Sequence, residues 1–208
     1  MQSTRYKSLE LLIVFVLIPL SFAFNYPPVL KLVIGVLGFS YIIYVLFKIE
    51  KIKIRIEKNI NWKAFWESTI IKLLIIMVIT SLFVWFTDAK NLFTVMLNKP
   101  KLWVLILLFY SFFSVYPQEL LYRTFFFQRY EKLFKNKKIF ILINALLFSL
   151  AHLFFKNTLV LLLTFVGGVL FAITFKKTKS TVLVSIEHSF YGCWLFTIGM
   201  GNMLGFPS

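Results

Sequence analysis

The chain has 208 residues, 60% of them hydrophobic and 15% charged, an apolar excess and charge deficit that exclude an ordinary soluble domain. Its formal net charge of +15 would suit nucleic acid, but the Lys and Arg residues cluster between apolar segments and the aromatic residues lie inside them. The expected partner is therefore the lipid bilayer, and nucleic acid is excluded.

Apolar stretches at 9–24, 29–47, 64–86, 102–128, 139–155, 158–175 and 180–199 predict an all-α fold. They amount to a polytopic transmembrane helix bundle of about seven spans, within a range of about six to eight, at about 20 residues per crossing. The first stretch follows Arg5 and Lys7 in the manner of a signal peptide. It carries Glu10 and no convincing small-residue cleavage site, so it is read as a retained span. Next, KIEKIKIRIEKNINWK (48–63) alternates Ile with charge and is read as a solvated cytoplasmic loop, ahead of a short strand or a segment lying on anionic headgroups. The fourth stretch would rise about 40 Å against a hydrocarbon core of about 30 Å, and Pro117 is expected to kink or divide it. In the sixth, Gly167 and Gly168 are expected to permit close helix packing. No internal repeat or second domain is evident, so 1–208 is read as one integral membrane domain.

Charge placement orients the chain. With the N-terminus cytoplasmic, the predicted outer segments hold only Lys31, Lys90, Lys99, Lys101 and Lys156. The other Lys and Arg residues fall in inner segments, apart from the intramembrane Lys72 and Arg123, so the positive-inside rule favours a multi-pass cell-membrane protein with its N-terminus inside and its C-terminus outside.

A charged side chain near mid-bilayer costs about 2.5–3.5 kcal/mol on insertion scales, so such residues normally face the protein interior with partners. Here they are Lys72, Glu119, Arg123 and Glu187, with both histidines of the chain, His152 and His188; Glu10 and Glu67 lie nearer span ends. In PQELLYRTFFFQRY (117–130), Glu119 and Arg123 are four residues apart and share one helix face, at a spacing that allows an ion pair. Gln118 sits about 100° round from that face. From the cytoplasmic ends Glu119 lies about 13 Å deep, His188 about 12 Å and His152 about 20 Å, at about 1.5 Å per residue. A carboxylate and two histidines at compatible depths can activate water and stabilise an oxyanion. They can equally ligate zinc, because two His and one Glu form a catalytic ligand set. If a metal is held, His152, His188 and Glu119 are the candidates. The bland alternatives are an interhelical ion pair for Glu119 with Arg123, interhelical hydrogen bonds for the histidines, and pairing of Glu187 with Lys72. The lone Cys193 excludes a disulfide within the chain and is read as core. HExxH, GxSxG, P-loop and GxGxxG motifs are absent, which argues against the usual soluble hydrolases and nucleotide binders.

In order along the chain, Gln118–Glu119–Arg123, Phe148–His152 and His188–Gly192 resemble the EExxxR, FxxxH and HxxxN motifs of the CPBP family. These are the CAAX-protease and bacteriocin-processing intramembrane proteases, also called Abi. The resemblance covers roughly 102–200, which would be the catalytic core. It implies that Arg123 orients the carboxylate region, His152 helps activate water and His188 supports the oxyanion. Two positions depart from the pattern: Gln118 stands where the family has its usual water activator, and Gly192 where it has an Asn that donates to the oxyanion. Gln is no general base near neutral pH, so hydrolysis requires another carboxylate, either Glu119 or Glu187.

Three functions are therefore carried forward. The first is an intramembrane endopeptidase cleaving a membrane-tethered protein or peptide near the cytoplasmic side. The second is a catalytically inactive scaffold of the same fold. The third is a proton-coupled transporter, which would predict inverted repeats with broken helices. Glutamate-type hydrolysis needs no cofactor, whereas the alternative uses zinc. Substrate and oligomeric state are open at this stage.

Overall fold

The computed structural model describes residues 3–52 and 60–205. Eight helices are formed among the described residues. They are α1 (residues 4–21), α2 (Pro28–Ile49), α3 (Trp62–Asn91), α4 (Thr94–Asn98), α5 (Pro100–Leu133), α6 (Lys137–Leu150), α7 (Thr158–Thr178) and α8 (Thr181–Thr197). No strand occurs among the described residues, as the helical reading expects. Residues 53–59 of the basic Ile-alternating segment lie outside the described residues.

The helix boundaries follow from local chemistry. Ser3, Asn61, Asn136 and Asn157 each accept a hydrogen bond from a backbone N–H of the following turn, satisfying donors that have no partner inside a helix. Pro28 and Pro100 open α2 and α5, where a missing N–H is harmless. Lys176 and Lys177 close α7, complementing the negative end of the helix dipole.

Helices occupy all seven stretches predicted to span the membrane. Among the described residues, five are long and apolar enough to cross: α2, α3, α5, the segment Lys137–Phe155 that begins with α6, and α7. The other two are α1, which carries Arg5, Lys7 and Glu10, and α8, at 17 residues. Side-chain exposure is inverted relative to a soluble protein. Along α3 the exposed residues Ile71, Leu74, Ile75, Val78, Ile79, Leu82 and Phe86 recur at helical spacing, and along α5 so do Val104, Leu105, Leu108, Phe109, Phe112 and Phe113. Such continuous apolar stripes would be costly in water and suit lipid.

The chain divides into two compact units, interleaved in sequence. Unit one comprises α1, α2, the C-terminal half of α5, α6 and α7; unit two comprises α3, α4, the N-terminal half of α5 and α8. The boundary within α5 falls at Pro117 and Gln118. Pro117 does not interrupt the helix. Instead two π-helical turns, Tyr110–Val115 and Leu120–Phe125, flank it; these wider turns are a recognised way for a membrane helix to absorb a proline that cannot donate to the preceding turn.

Helix α5 extends beyond the predicted 128 to Leu133 and so encloses Arg129. The guanidinium donates to Glu10 at 2.8 and 2.9 Å and to Glu50 at 2.7 Å. Two carboxylates distant in sequence thus neutralise a charge that otherwise reads as loop. Within unit one, α6 and α7 pack closely because a Cβ at Gly168 would lie 3.0 Å from the Ala145 backbone. Of the two glycines, Gly168 makes the close approach, whereas Gly167 faces Phe171 of its own helix.

Candidate active site

In unit one, the motif residues on α5 and α6 meet in the core. Glu119 and Arg123 are fully enclosed, and Arg123 Nε lies 3.2 Å from Glu119 Oε2. The (i, i+4) pair expected from sequence is therefore formed, in surroundings where a lone charge would be far more costly than in water. Arg123 Nη1 donates to Asn144 Oδ1 at 2.7 Å, and Asn144 Nδ2 donates to the Tyr122 carbonyl at 2.7 Å. Asn144 thus locks the guanidinium plane from α6. That guanidinium also lies over the Phe148 ring, 4.9 Å from its centroid, a cation–π contact that helps hold the cation.

Phe148 connects this ion pair to His152. The two rings pack edge to face with centroids 4.9 Å apart, and His152 Nδ1 is 2.8 Å from the Phe148 carbonyl oxygen. A carbonyl only accepts, so Nδ1 carries a proton, and in a neutral ring Nε2 is then the nitrogen that bears the lone pair. His152 lies just past the last α-helical turn of α6, at φ −96° and ψ 4°, in a turn that leaves its ring partly accessible. Gln118, the first residue of unit one on α5, is half-buried.

Unit two holds the other candidates. Glu187 is fully enclosed and forms an ion pair with Lys72 of α3, while the Tyr191 hydroxyl donates to the same carboxylate oxygen at 2.8 Å. Pairing with Lys72, one of the two alternatives weighed for Glu187, is the contact the fold makes. His188 is buried, with Nε2 3.1 Å from the Tyr110 hydroxyl of α5. Gly192 follows one turn later on α8, and a Cβ there would overlap the Tyr110 ring. Cys193 approaches Ser111 Oγ at 3.5 Å and packs against the apolar cluster around Val95, Ile106, Val115 and Phe196, as its core reading expects. Among the described residues, neither unit brings three His, Cys, Asp or Glu side chains into a group that could hold a metal ion.

Two polar residues escaped the sequence reading. Asn144 could have been found as an amide in the apolar run FILINALLF, because an intramembrane Asn needs a partner. Tyr110 carried no such signal: it is one of 9 Tyr and 26 Phe in the chain.

Helices that face apolar side chains outward and bury Glu, Arg and His define a multi-pass membrane protein with polar clusters inside. Residues 100–194, the segment that holds all three motifs, match the family model for Rce1-like type II CAAX prenyl endopeptidases, in agreement with the CPBP resemblance. Neither a curated protein nor a solved structure matches the chain.

Proposed function

We propose that the protein is an active intramembrane endopeptidase that hydrolyses a peptide bond near the cytoplasmic side of the membrane. The family match supports protease-type function at the coarse level. The observation that carries the finer reading is the linked cluster of Glu119, Arg123, Phe148 and His152 in unit one, with the His152 Nδ1 proton committed to a carbonyl.

In this reading Arg123 fixes the Glu119 carboxylate in one orientation. Glu119 with His152 takes a proton from water, and the water oxygen bonds to the carbonyl carbon of the scissile bond. The carbonyl π electrons move onto oxygen to give an oxyanion, whose stabilisation the CPBP resemblance assigns to His188. Collapse of the tetrahedral species breaks the C–N bond as the captured proton passes to the leaving amine, so one water is consumed and two peptide fragments leave. Glu119 replaces the carboxylate missing at Gln118; Glu187 is the weaker candidate because Lys72 and Tyr191 already hold it.

The test is cleavage of a panel of membrane-tethered peptides, prenylated CAAX peptides among them, by purified protein in proteoliposomes with and without chelator. Glu119→Ala and His152→Ala are each expected to lower turnover at least about 10²-fold, with the chelator without effect. Wild-type turnover in both variants defeats the assignment. The second reading, an inactive scaffold, is favoured by Gln118 itself. Activity that appears only in Gln118→Glu would establish that reading instead.

A further inference from the structure

Within unit one, the end of α5, the start of α6 and the end of α7 meet around an aromatic core. Phe127 of α5 packs edge to face against Phe140 of α6, at 4.8 Å between centroids, and against Phe175 of α7, at 5.0 Å. The charge around this core is one-sided. Segments 131–138 and 176–179 together carry seven Lys and a single acid, Glu131, and every one of those Lys residues is exposed. Glu131 reaches Lys137 of the first segment at 3.0 Å and Lys179 of the second at 3.9 Å, so the two segments form one patch. Lys179, which closes α7, stands in the left-handed region at φ 50° with its ammonium 5.8 Å from the Phe127 ring centroid. Glycine adopts that backbone conformation at less cost, yet the position holds a cation.

Further along both helices the outward surface is apolar. On α6, Ile139, Leu142 and Leu146 are exposed at helical spacing, and Lys138 heads that stripe one turn before Leu142. On α7, the exposed Leu162, Val166 and Ile173 run toward Lys177, one turn after Ile173. Each stripe thus sets a cation at the headgroup end of a hydrocarbon-facing column. That arrangement matches a molecule with an anionic head and acyl chains. An acidic peptide would complement the cations alone.

We propose that this patch binds an anionic phospholipid, its phosphate held by Lys residues of both segments and its acyl chains lying on the α6 and α7 stripes. The positive-inside rule orients a chain by the number of its charges. It does not require that the Lys residues of two loops be drawn together, or that one of them take a left-handed conformation. The inference stands apart from the hydrolytic reading, because none of its residues belongs to the Glu119 and His152 cluster.

The experiment titrates the purified full chain in detergent with phosphatidylglycerol and with phosphatidylcholine of the same acyl chains, and counts bound lipid by native mass spectrometry. Wild type is expected to bind phosphatidylglycerol at least about tenfold more tightly, a preference that shrinks as salt is raised from about 0.05 to about 0.5 M. Lys135→Gln/Lys138→Gln/Lys177→Gln leaves both Glu131 pairs in place. It is expected to lose at least about tenfold in phosphatidylglycerol affinity, with phosphatidylcholine binding unchanged as the sign that the protein is folded. Lys63→Gln/Lys90→Gln/Lys101→Gln removes the same charge elsewhere and should stay within about threefold of wild type. Equal affinity of wild type for the two lipids overturns the inference. So do equal losses in the two triple variants, since net charge alone would then explain the preference. A soluble polyglutamate peptide that displaces phosphatidylglycerol as well as excess phosphatidylglycerol does would overturn it too, and would assign the patch to an acidic protein partner.

Discussion

Arg123 has no exposed surface and is held by three kinds of contact at once: Glu119, Asn144 and the Phe148 face. Removing one member of a buried ion pair leaves the other charge without compensation. Arg123→Met is therefore expected to destabilise the protein by about 3–5 kcal/mol, read as a large fall in the detergent unfolding midpoint. Arg123→Lys keeps the charge but not the fork that reaches both Glu119 and Asn144, and should fall between. Replacing both partners, as in Glu119→Leu/Arg123→Met, should recover much of the stability and none of the activity. An Arg123→Met midpoint equal to wild type would mean that the ion pair is not what organises this part of unit one. The same logic gives a cleaner measurement at Lys72 and Glu187. Lys72→Met, Glu187→Gln and the double variant should be non-additive by about 0.5–3 kcal/mol; additive effects would show the two to be independent. Both ion pairs could be anticipated from sequence, one from an (i, i+4) spacing and one from the scarcity of intramembrane charge. Asn144 and Tyr110 were not, because their importance depends on what faces them: Arg123 across a helix pair, and an absent side chain at 192.

Among the elements, helix positions were the most legible feature, since an apolar run bounded by Asn caps, Pro and Lys leaves few alternatives in a bilayer. The boundary of α5 was less so. Arg129 looks like the first residue of a loop to any local reading, and only Glu10 and Glu50, contributed by α1 and α2, make it a helix-interior residue. The π turns on either side of Pro117 have no sequence signature beyond the proline. Helix packing was half legible: the Gly167–Gly168 pair announces a close approach without saying which glycine makes it. With Ala145 3.0–3.2 Å from the Cβ position of Gly168, a Leu there would force α6 and α7 apart. Gly168→Leu is expected to cost about 1–3 kcal/mol. Gly167→Ala meets only the edge of a movable Phe171 ring, at 3.1 Å, and should be nearly neutral. Thermal unfolding of the two variants checks the contrast; equal losses would assign the close contact wrongly.

At the scale of the whole molecule, the alternation of helices can be argued from which ends meet within unit one. Lys7 at the start of α1 contacts Glu50 just after α2 at 3.6 Å, and Arg129 near the end of α5 joins both Glu10 and Glu50. Glu131 pairs with Lys137, which opens α6, at 3.0 Å and with Lys179, just past α7, at 3.9 Å. These are the segments that the positive-inside rule assigns to the cytoplasm. At the other end Lys156 reaches Asn25, in the turn between α1 and α2, at 3.3 Å, and both belong to segments predicted outside. Antiparallel alternation in this unit is thus fixed by contacts, but contacts cannot tell inside from outside; only the charge bias does that. Lys135→Cys and Lys156→Cys, each in a Cys193→Ser background, separate the two orientations. An impermeant maleimide added to intact cells should label Cys at 156 and spare Cys at 135, which reacts only after the membrane is opened. The reverse pattern would put the N-terminus outside and move the proposed cleavage to the opposite face of the membrane. The chemistry assigned to Glu119 and His152 would stand unchanged, since it depends on contacts within unit one and not on which side of the bilayer supplies the water.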